Sequence, residues 1–280
     1  MLPQLIAFRE VAEKRSFRAA AEVLNISQPA LTLRIQNLEA TLGFSLLDRD
    51  KGGVSLTPEG ERFLPYARSS IQAVRDGAAE ARRARTFRAV YRIISSYNLI
   101  NVFVLAWVRR LMDDRPDVSV TLDCGYPDVA ARLFSAGLVD ITVTFEPIVM
   151  PGLISEMLYT DESILVTSCE RLEEWRDHYA YVHWDDAFTE QHRALLGEVE
   201  NNPQLTIYFL DVLRVWALSG PASGYMSARV AAPYLASGQF KRVPDVPVFQ
   251  RPVYMTHLAR PADREAHAAG IAALRAVLPD

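Results

Sequence analysis

FRAAAEVLNISQPALTLRIQNLE, residues 17–39, is the stretch whose reading decides the fold. It predicts two helices joined by a tight turn. Ser16 stands where a cap for the first helix belongs, and Ser27 where a cap for the second belongs. A serine hydroxyl there accepts from orphan N–H groups of the first turn and contributes about 1 kcal/mol. Pro29 falls in the first turn of the second helix, where a missing N–H costs no hydrogen bond. Ala20, Ala21 and Leu24 give the first helix a small apolar face that the second can approach closely. On a helical wheel, Leu31, Ile35, Leu38 and Leu42 gather into one stripe that must face a core. Pro29, Thr32, Leu33 and Gln36 point away from it, with Gln28 at the amino end. Short side chains and a positive helix end turned outward suit the major groove of duplex DNA. The pattern is that of a helix-turn-helix, although a plain three-helix bundle with a solvated face fits the same residues.

The flanking segments sharpen this reading. Leu5, Phe8 and Val11 predict a helix over residues 3–14, and Gly43 is placed to close the second helix with a left-handed cap. Residues 44–57 alternate apolar side chains around Gly52-Gly53, a short hairpin or wing spanning 46–56. Arg49 and Lys51 near its base and tip are placed for phosphate contact; ordinary solvated hairpin charge is the alternative. Thr57-Pro58-Glu59 then opens a long helix running past Gly60 and Gly77 to about Thr86. Along it Leu64, Ala67, Ile71, Val74, Ala78 and Ala81 step by three and four residues. Such a seam pairs with a copy of itself or packs on its own domain.

The chain has 280 residues, 50% hydrophobic and 23% charged, enough for two globular domains. No apolar run is long enough for a membrane helix, and no secretory signal is expected. Two cysteines, Cys124 and Cys169, fit a reducing cytoplasm. The net charge of −4 hides an asymmetry. Up to Arg92 there are 15 Lys and Arg against 10 Asp and Glu; beyond it the count is 15 against 24. The basic excess lies between Phe63 and Arg92, while the first 62 residues are neutral, eight against eight. A basic amino-terminal third and an acidic remainder point modestly to a polyanion as partner.

At this point the first 60-odd residues resemble the winged helix-turn-helix of LysR-type transcriptional regulators. The resemblance rests on Phe8, Val11, Ala12, Ser16, Phe17, Ala20, Ala21, Leu24, Ser27 to Leu31, Ile35, Leu38, Glu39, Leu42, Gly43, Leu47, Arg49, Leu56, Thr57 and Gly60. It implies a bacterial, cytoplasmic regulator that forms homodimers or tetramers, binds a pseudo-palindromic duplex DNA operator, and has RNA polymerase as a further partner. It also implies an α+β multidomain chain. Residues 1–57 would be the winged helix-turn-helix, 58–87 a linker helix for dimerisation, and 88–280 a periplasmic-binding-protein-like α/β effector domain. Carried over by position, the DNA-contacting residues are Ser27, Gln28, Pro29, Thr32, Leu33, Arg34 and Gln36, with Arg49 and Lys51 in the wing. The family often has Ser-Arg where this chain has Thr32-Leu33, and here the cation comes one step later, at Arg34. Leu33 outward can pack on a thymine methyl but cannot hydrogen-bond guanine.

Beyond Arg88 the pattern alternates strands and helices: strands near 91–95, 118–122 and 140–145, helices over 98–111 and 127–136. That order begins a parallel sheet. Further strands are expected at 163–168, 181–184, 205–207 and 252–257, with helices at 209–218, 230–236 and 262–278. The layout resembles two α/β subdomains, one at about 88–160 with 258–280 and the other over 161–257. A small effector of unknown identity would lie between them, at strand carboxyl ends. Its candidate contacts are Ser95, Ser96 and Asn98, which favour an anion, with Thr144, Phe145, Thr206, Tyr208 and Gly224; Tyr181 and Trp184 would add aromatic walls.

No phosphate loop, dinucleotide fingerprint or metal-ligand spacing is present in the sequence, so no cofactor, metal or active site is expected. His192 beside Arg193 reads as surface helix. Three alternatives stay open: a redox sensor bridging Cys124 and Cys169, an enzyme with a grafted DNA module, and a DNA-binding protein with an inert carboxy-terminal domain.

Overall fold

The computed structural model describes residues 1–50, 53–83, 85–200 and 203–278, with the side chains of 49–50 and 198–200 left aside. The chain forms two compact units, Met1–Thr86 and Phe87–Asp280. In the first, α1 (Leu2–Lys14), α2 (Phe17–Val23) and α3 (Gln28–Leu42) precede an antiparallel hairpin of β1 (Leu47–Asp50) and β2 (Gly53–Leu56), and α4 (Pro58–Arg83) follows. The caps work as the sequence requires. Ser16 Oγ accepts from the Ala19 N–H at 3.2 Å, and Ser27 Oγ from the Ala30 N–H at 3.4 Å. Gly43 ends α3 at φ +80°, a conformation that favours glycine. Leu31, Ile35 and Leu38 are buried against Phe8, Val11, Ala20 and Ala21. The Glu39 carboxylate then ties α3 to the hairpin by accepting from the N–H groups of Leu46 and Leu47, at 2.7 and 3.2 Å.

Two expectations for the long helix need correction. It passes through Pro65, a breaker not weighed in the sequence, which is solvent-exposed and so keeps its ring away from the core. The apolar seam is also split. Ala67 and Ile71 are buried in the first unit's own core, with Leu64 packed beside them. On this chain only the distal part of the seam, Val74, Ala78 and Ala81, is exposed.

The second unit contains β3 (Ala89–Ser95), α5 (Leu105–Asp114), β4 (Val118–Cys124), α6 (Pro127–Ser135), β5 (Ile141–Thr144), β6 (Leu153–Thr167) and β7 (Ala180–Val182). These are followed by α7 (Asp186–Glu200), β8 (Leu205–Ile207), α8 (Leu210–Ser219), β9 (Ser223–Ser227), α9 (Ala228–Ala236), β10 (Lys241–Arg242), β11 (Phe249–Leu258) and α10 (Arg264–Val277). β3 pairs in parallel with both β4 and β5, as expected. The sheet then turns antiparallel, in the order β10-β6-β11-β5-β3-β4, with β9 also on β6. β6 and β11 are the two strands common to both subdomains. The carboxyl half of β11, Tyr254 to His257, pairs with β5, while Phe249 lies opposite Ser163 near β9. The chain therefore returns to the first subdomain at the register shift between Val253 and Tyr254, earlier than residue 258.

Other departures have identifiable causes. The first half of β6 escaped the sequence reading because much of it is solvent-exposed, with Ile154, Ser155, Met157 and Thr160 facing outward. The helix expected from Asn98 starts as a short 3-10 turn and a π turn, and becomes α-helical at Leu105. α7 was foreseen only as a surface helix around His192 and Arg193, without its extent or its burial. It buries Phe188 and His192 among the rings of Tyr179, Tyr181, Tyr225 and Phe249, with His192 Nε2 2.5 Å from the Tyr179 hydroxyl. His192 is thus core, not surface.

Burial holds the His192 pKa down at about 4, and burial followed by the neighbouring His257 lowers that of His267. Both rings are neutral in the folded chain, whereas the unfolded chain binds protons below about pH 6.5. Stability is therefore complete above that pH and is lost as pH falls toward 4, at up to about 1.4 kcal/mol per pH unit for His192. Urea unfolding at pH 7 and pH 5 should show this slope, and His192→Phe should flatten it; an unchanged slope in the variant would place the proton uptake elsewhere.

Candidate DNA-reading helix and effector cleft

The burial of one stripe of α3 leaves the opposite side open. Ser27, Gln28, Pro29 and Gln36 are exposed, Leu33 is 57% exposed, and Thr32 and Arg34 are half-buried. These residues form one polar face with a single outward aliphatic side chain, at the helix end that carries the positive dipole. Arg49 lies on β1 opposite Val54, its side chain outside the described region, and Lys51 lies outside the described residues. Contact between α3 and duplex DNA would therefore combine backbone N–H groups and polar side chains with few cations.

In the second unit, the ends of β3, β5, β7 and β8 converge on the region between the subdomains. Ser95 is fully buried and donates its hydroxyl to the Ser96 carbonyl at 3.0 Å. Asn98 spans the cleft: its Oδ1 accepts from the Leu210 N–H at 2.8 Å, capping α8 from the other subdomain. Next to it the Asn101 amide bonds the Asp211 carboxylate, and the Tyr97 and Phe209 rings meet edge to face at 4.6 Å. A cavity of about 180 Å³ lies among Tyr97, Asn98, Ile100, Asn101, Phe209, Leu210, Asp211 and Val230. Behind it Phe145 is 5.5 Å from Trp184, and the Arg251 guanidinium sits 4.5 Å over Phe145 while pairing with both oxygens of Asp185.

The sequence expectations are met unevenly here. Ser96 is buried just past the end of β3, Phe145 packs on Trp184 and Arg251, and Tyr208 is exposed, while Asn98 gives its Oδ1 to the Leu210 N–H, a bond that leaves its amide N–H donors unused. Thr144 donates to the Glu146 carbonyl at 2.7 Å, and Thr206 is exposed on β8. Gly224 is not a cleft residue: a Cβ there would lie 2.8 Å from the Ala180 carbonyl and from Leu213, so it allows a close strand–helix contact. Tyr181 packs inward on Phe188 and His192, whereas Trp184 does face Phe145. The residues missed are Arg251, Asp185, Asn101 and Asp211, because cross-domain partners leave no local periodicity. Burial, with neighbouring Asp185 and Asp186, raises the pKa of Glu146, against the nearby Arg251.

The cysteines are far apart. Cys124 pairs with Ser95, whose row continues through Val143 and Met255 to Glu156, far along β6 from Cys169. Four inter-strand steps of about 4.8 Å each already exceed the roughly 7 Å that a disulfide tolerates. Burial, and then Asp123, also raises the Cys124 pKa, which disfavours the thiolate. A bridge would require the subdomains to rearrange.

Residues 2–61 match the sequence profile of the bacterial regulatory helix-turn-helix protein of the lysR family, and residues 84–279 match the LysR substrate binding domain. The chain belongs to the LysR family. It is a DNA-binding transcriptional regulator with an effector-binding domain. A probable hydrogen peroxide-inducible genes activator from Streptomyces viridosporus is 33% identical over 174 residues, 60% of this chain and 54% of that protein. The transcriptional regulator HdfR of Yersinia pestis is 25% identical over 91% of this chain and 89% of its own. Full-length CbnR in complex with its target DNA has the same fold, with a TM-score of 0.68 at 22% identity over 99% of this chain and 100% of that one. Vibrio fischeri DarR bound to DNA follows at 0.61 and 19%, over 99% of each chain. Among the described residues no helix is long and apolar enough to cross a membrane, and no His, Cys, Asp and Glu cluster could hold a metal ion.

Asn98→Ala removes the acceptor that joins the subdomains at Leu210. The expected cost is about 1–3 kcal/mol of domain stability, read by urea unfolding. Amide exchange at the start of α8 should accelerate in the variant; unchanged exchange there would show that Asn98 does not hold the cleft.

Proposed function

We propose that α3 enters the major groove and reads sequence with Gln28, Pro29, Thr32, Leu33 and Gln36. Ser27, Arg34, Arg49 and Lys51 serve the phosphates around it. The observation that carries this reading is the exposed polar face of α3 on a fully buried stripe, with Leu33 outward. The regulator would work in the cytoplasm as a dimer or tetramer, using the exposed Val74, Ala78 and Ala81 of α4 for self-pairing and a two-fold operator for docking. RNA polymerase would be met at the promoter.

In this proposal an effector enters the cleft between the subdomains beside Ser96, Tyr97, Phe145 and Tyr208, and leaves chemically unchanged. It alters DNA binding only through its different affinities for two arrangements of the assembly. The cross-cleft contacts at Asn98, Asn101 and Tyr97 are what such a ligand would strengthen or replace.

Leu33→Arg tests the reading directly. Selection from a randomised DNA pool should return a different preferred base at one position of each half-site, with discrimination there changing by about 1–3 kcal/mol. An equal gain or loss of affinity across all sequences would reduce Leu33 to a backbone-side residue.

A further inference from the structure

The cavity beside Asn98 has a size and a polarity that select a ligand class. Its volume of about 180 Å³ is close to the roughly 150 Å³ of an apolar protein cavity that takes up benzene, so it holds one ring of that size with a short substituent. Tyr97 and Ile100, in the turns between β3 and α5, wall one side. Phe209, just before α8, and Val230 of α9 wall the other. The Tyr97 and Phe209 rings meet edge to face at 4.6 Å, and Tyr126 adds a further ring 6.2 Å from Tyr97. Walls of this kind favour a flat aromatic ring, which packs on them edge to face or offset.

One polar group in these walls is left open. Asn98 is only 7% exposed and its Oδ1 is taken by the Leu210 N–H, but its amide N–H groups meet no acceptor among the described residues. A buried donor without an acceptor is costly, and this side chain lines the cavity, where an occupant can supply one. An ammonium would meet the amide donor to donor. A carboxylate would bring like charge to Asp211 on the same wall. The cation beside Asp211 is already engaged: Arg214 donates to Asp211 Oδ1 at 2.8 Å and to the Tyr234 hydroxyl at 3.1 Å. A neutral carbonyl or hydroxyl oxygen satisfies Asn98 without either conflict. We infer that the effector is a neutral, single-ring aromatic compound bearing one such oxygen, which accepts from Asn98 Nδ2 while the ring fills the cavity. This rests on the reading of the second unit as a sensor. The walls come from different subdomains, so the occupant favours the arrangement in which Asn98 caps α8.

Calorimetric titration of the full-length chain with benzamide, benzaldehyde, benzyl alcohol, toluene, benzoate and benzylamine tests the inference. At least one of the neutral oxygen compounds should bind, with toluene, benzoate and benzylamine weaker by about tenfold or more. Asn98→Asp keeps the acceptor for Leu210 but replaces the N–H groups with oxygen, and should weaken that compound by about tenfold or more. Val230→Trp fills the cavity from a half-buried position and should have the same effect; it decides the matter if Asn98→Asp fails to fold. Tyr208→Ala, exposed and outside the cavity walls, should change the affinity by no more than about twofold. No binding by any neutral oxygen compound, equal binding of toluene or of either ion, or binding that survives Val230→Trp but is lost in Tyr208→Ala would overturn the cavity and leave the sensor reading standing. Affinity for a selected operator duplex tests that reading separately: a compound that fills the cavity should shift it, and binding without a shift would overturn the compound's role as effector.

Discussion

The pairing of β6 with β11 is the constraint on which the second unit depends. These strands run through both subdomains, so the subdomains share one sheet and cannot separate without breaking a continuous ladder. At their crossing the ladder shifts register between Val253 and Tyr254, the one place where the pairing itself gives. Beside it sits Arg251, 4% exposed, with Asp185 as its partner and the rings of Phe145, Trp184 and Phe188 around its guanidinium. A buried charge is tolerable only when paired and hydrogen-bonded. Removing Asp185 would leave the cation stranded, whereas a long apolar replacement for Arg251 would orphan the acid.

The first unit follows a different logic, in which local rules suffice. Caps at Ser16 and Ser27, the stripe of Leu31, Ile35 and Leu38, and the left-handed Gly43 each act within a few residues. That is why the helix-turn-helix and its exposed face were legible from the sequence. Gly60 shows how tightly the parts are then joined: a Cβ there would stand 2.1 Å from the Leu46 carbonyl, so the start of α4 lies directly on the entry to the hairpin. A spacing rule alone did not separate the two fates of the α4 seam. Ala67 and Ile71 have the same periodicity as Val74 and Ala78, but the unit's core ends between them.

The second unit was legible as alternating strands and helices, and its parallel β3, β4 and β5 were foreseen. The contacts that join its subdomains were not, for a physical reason. Asn98 caps a helix that starts more than a hundred residues later, and Arg251 meets Asp185 across 66 positions. Neither relation leaves a periodic trace. Ser95 stands at the end of the first strand, but its hydroxyl is engaged within the fold, as is the Oδ1 of Asn98 in the turn that follows. Among the aromatic residues His192, read as surface helix, became core and Tyr181 packed inward, while Tyr97, Tyr208 and Phe209 stayed exposed. Composition had already indicated an acidic carboxy-terminal part.

The central claim is that α3 and its hairpin are the surface that meets duplex DNA, and that the second unit acts as a sensor. Hydrogen–deuterium exchange of the full chain, alone and with an operator duplex obtained by selection, tests it most directly. The account predicts protection of residues 27–37 and of the hairpin on DNA binding, with slowing in the second unit confined to surfaces of self-association. Protection centred on the cleft around Tyr97 and Phe209, with α3 unchanged, would contradict it.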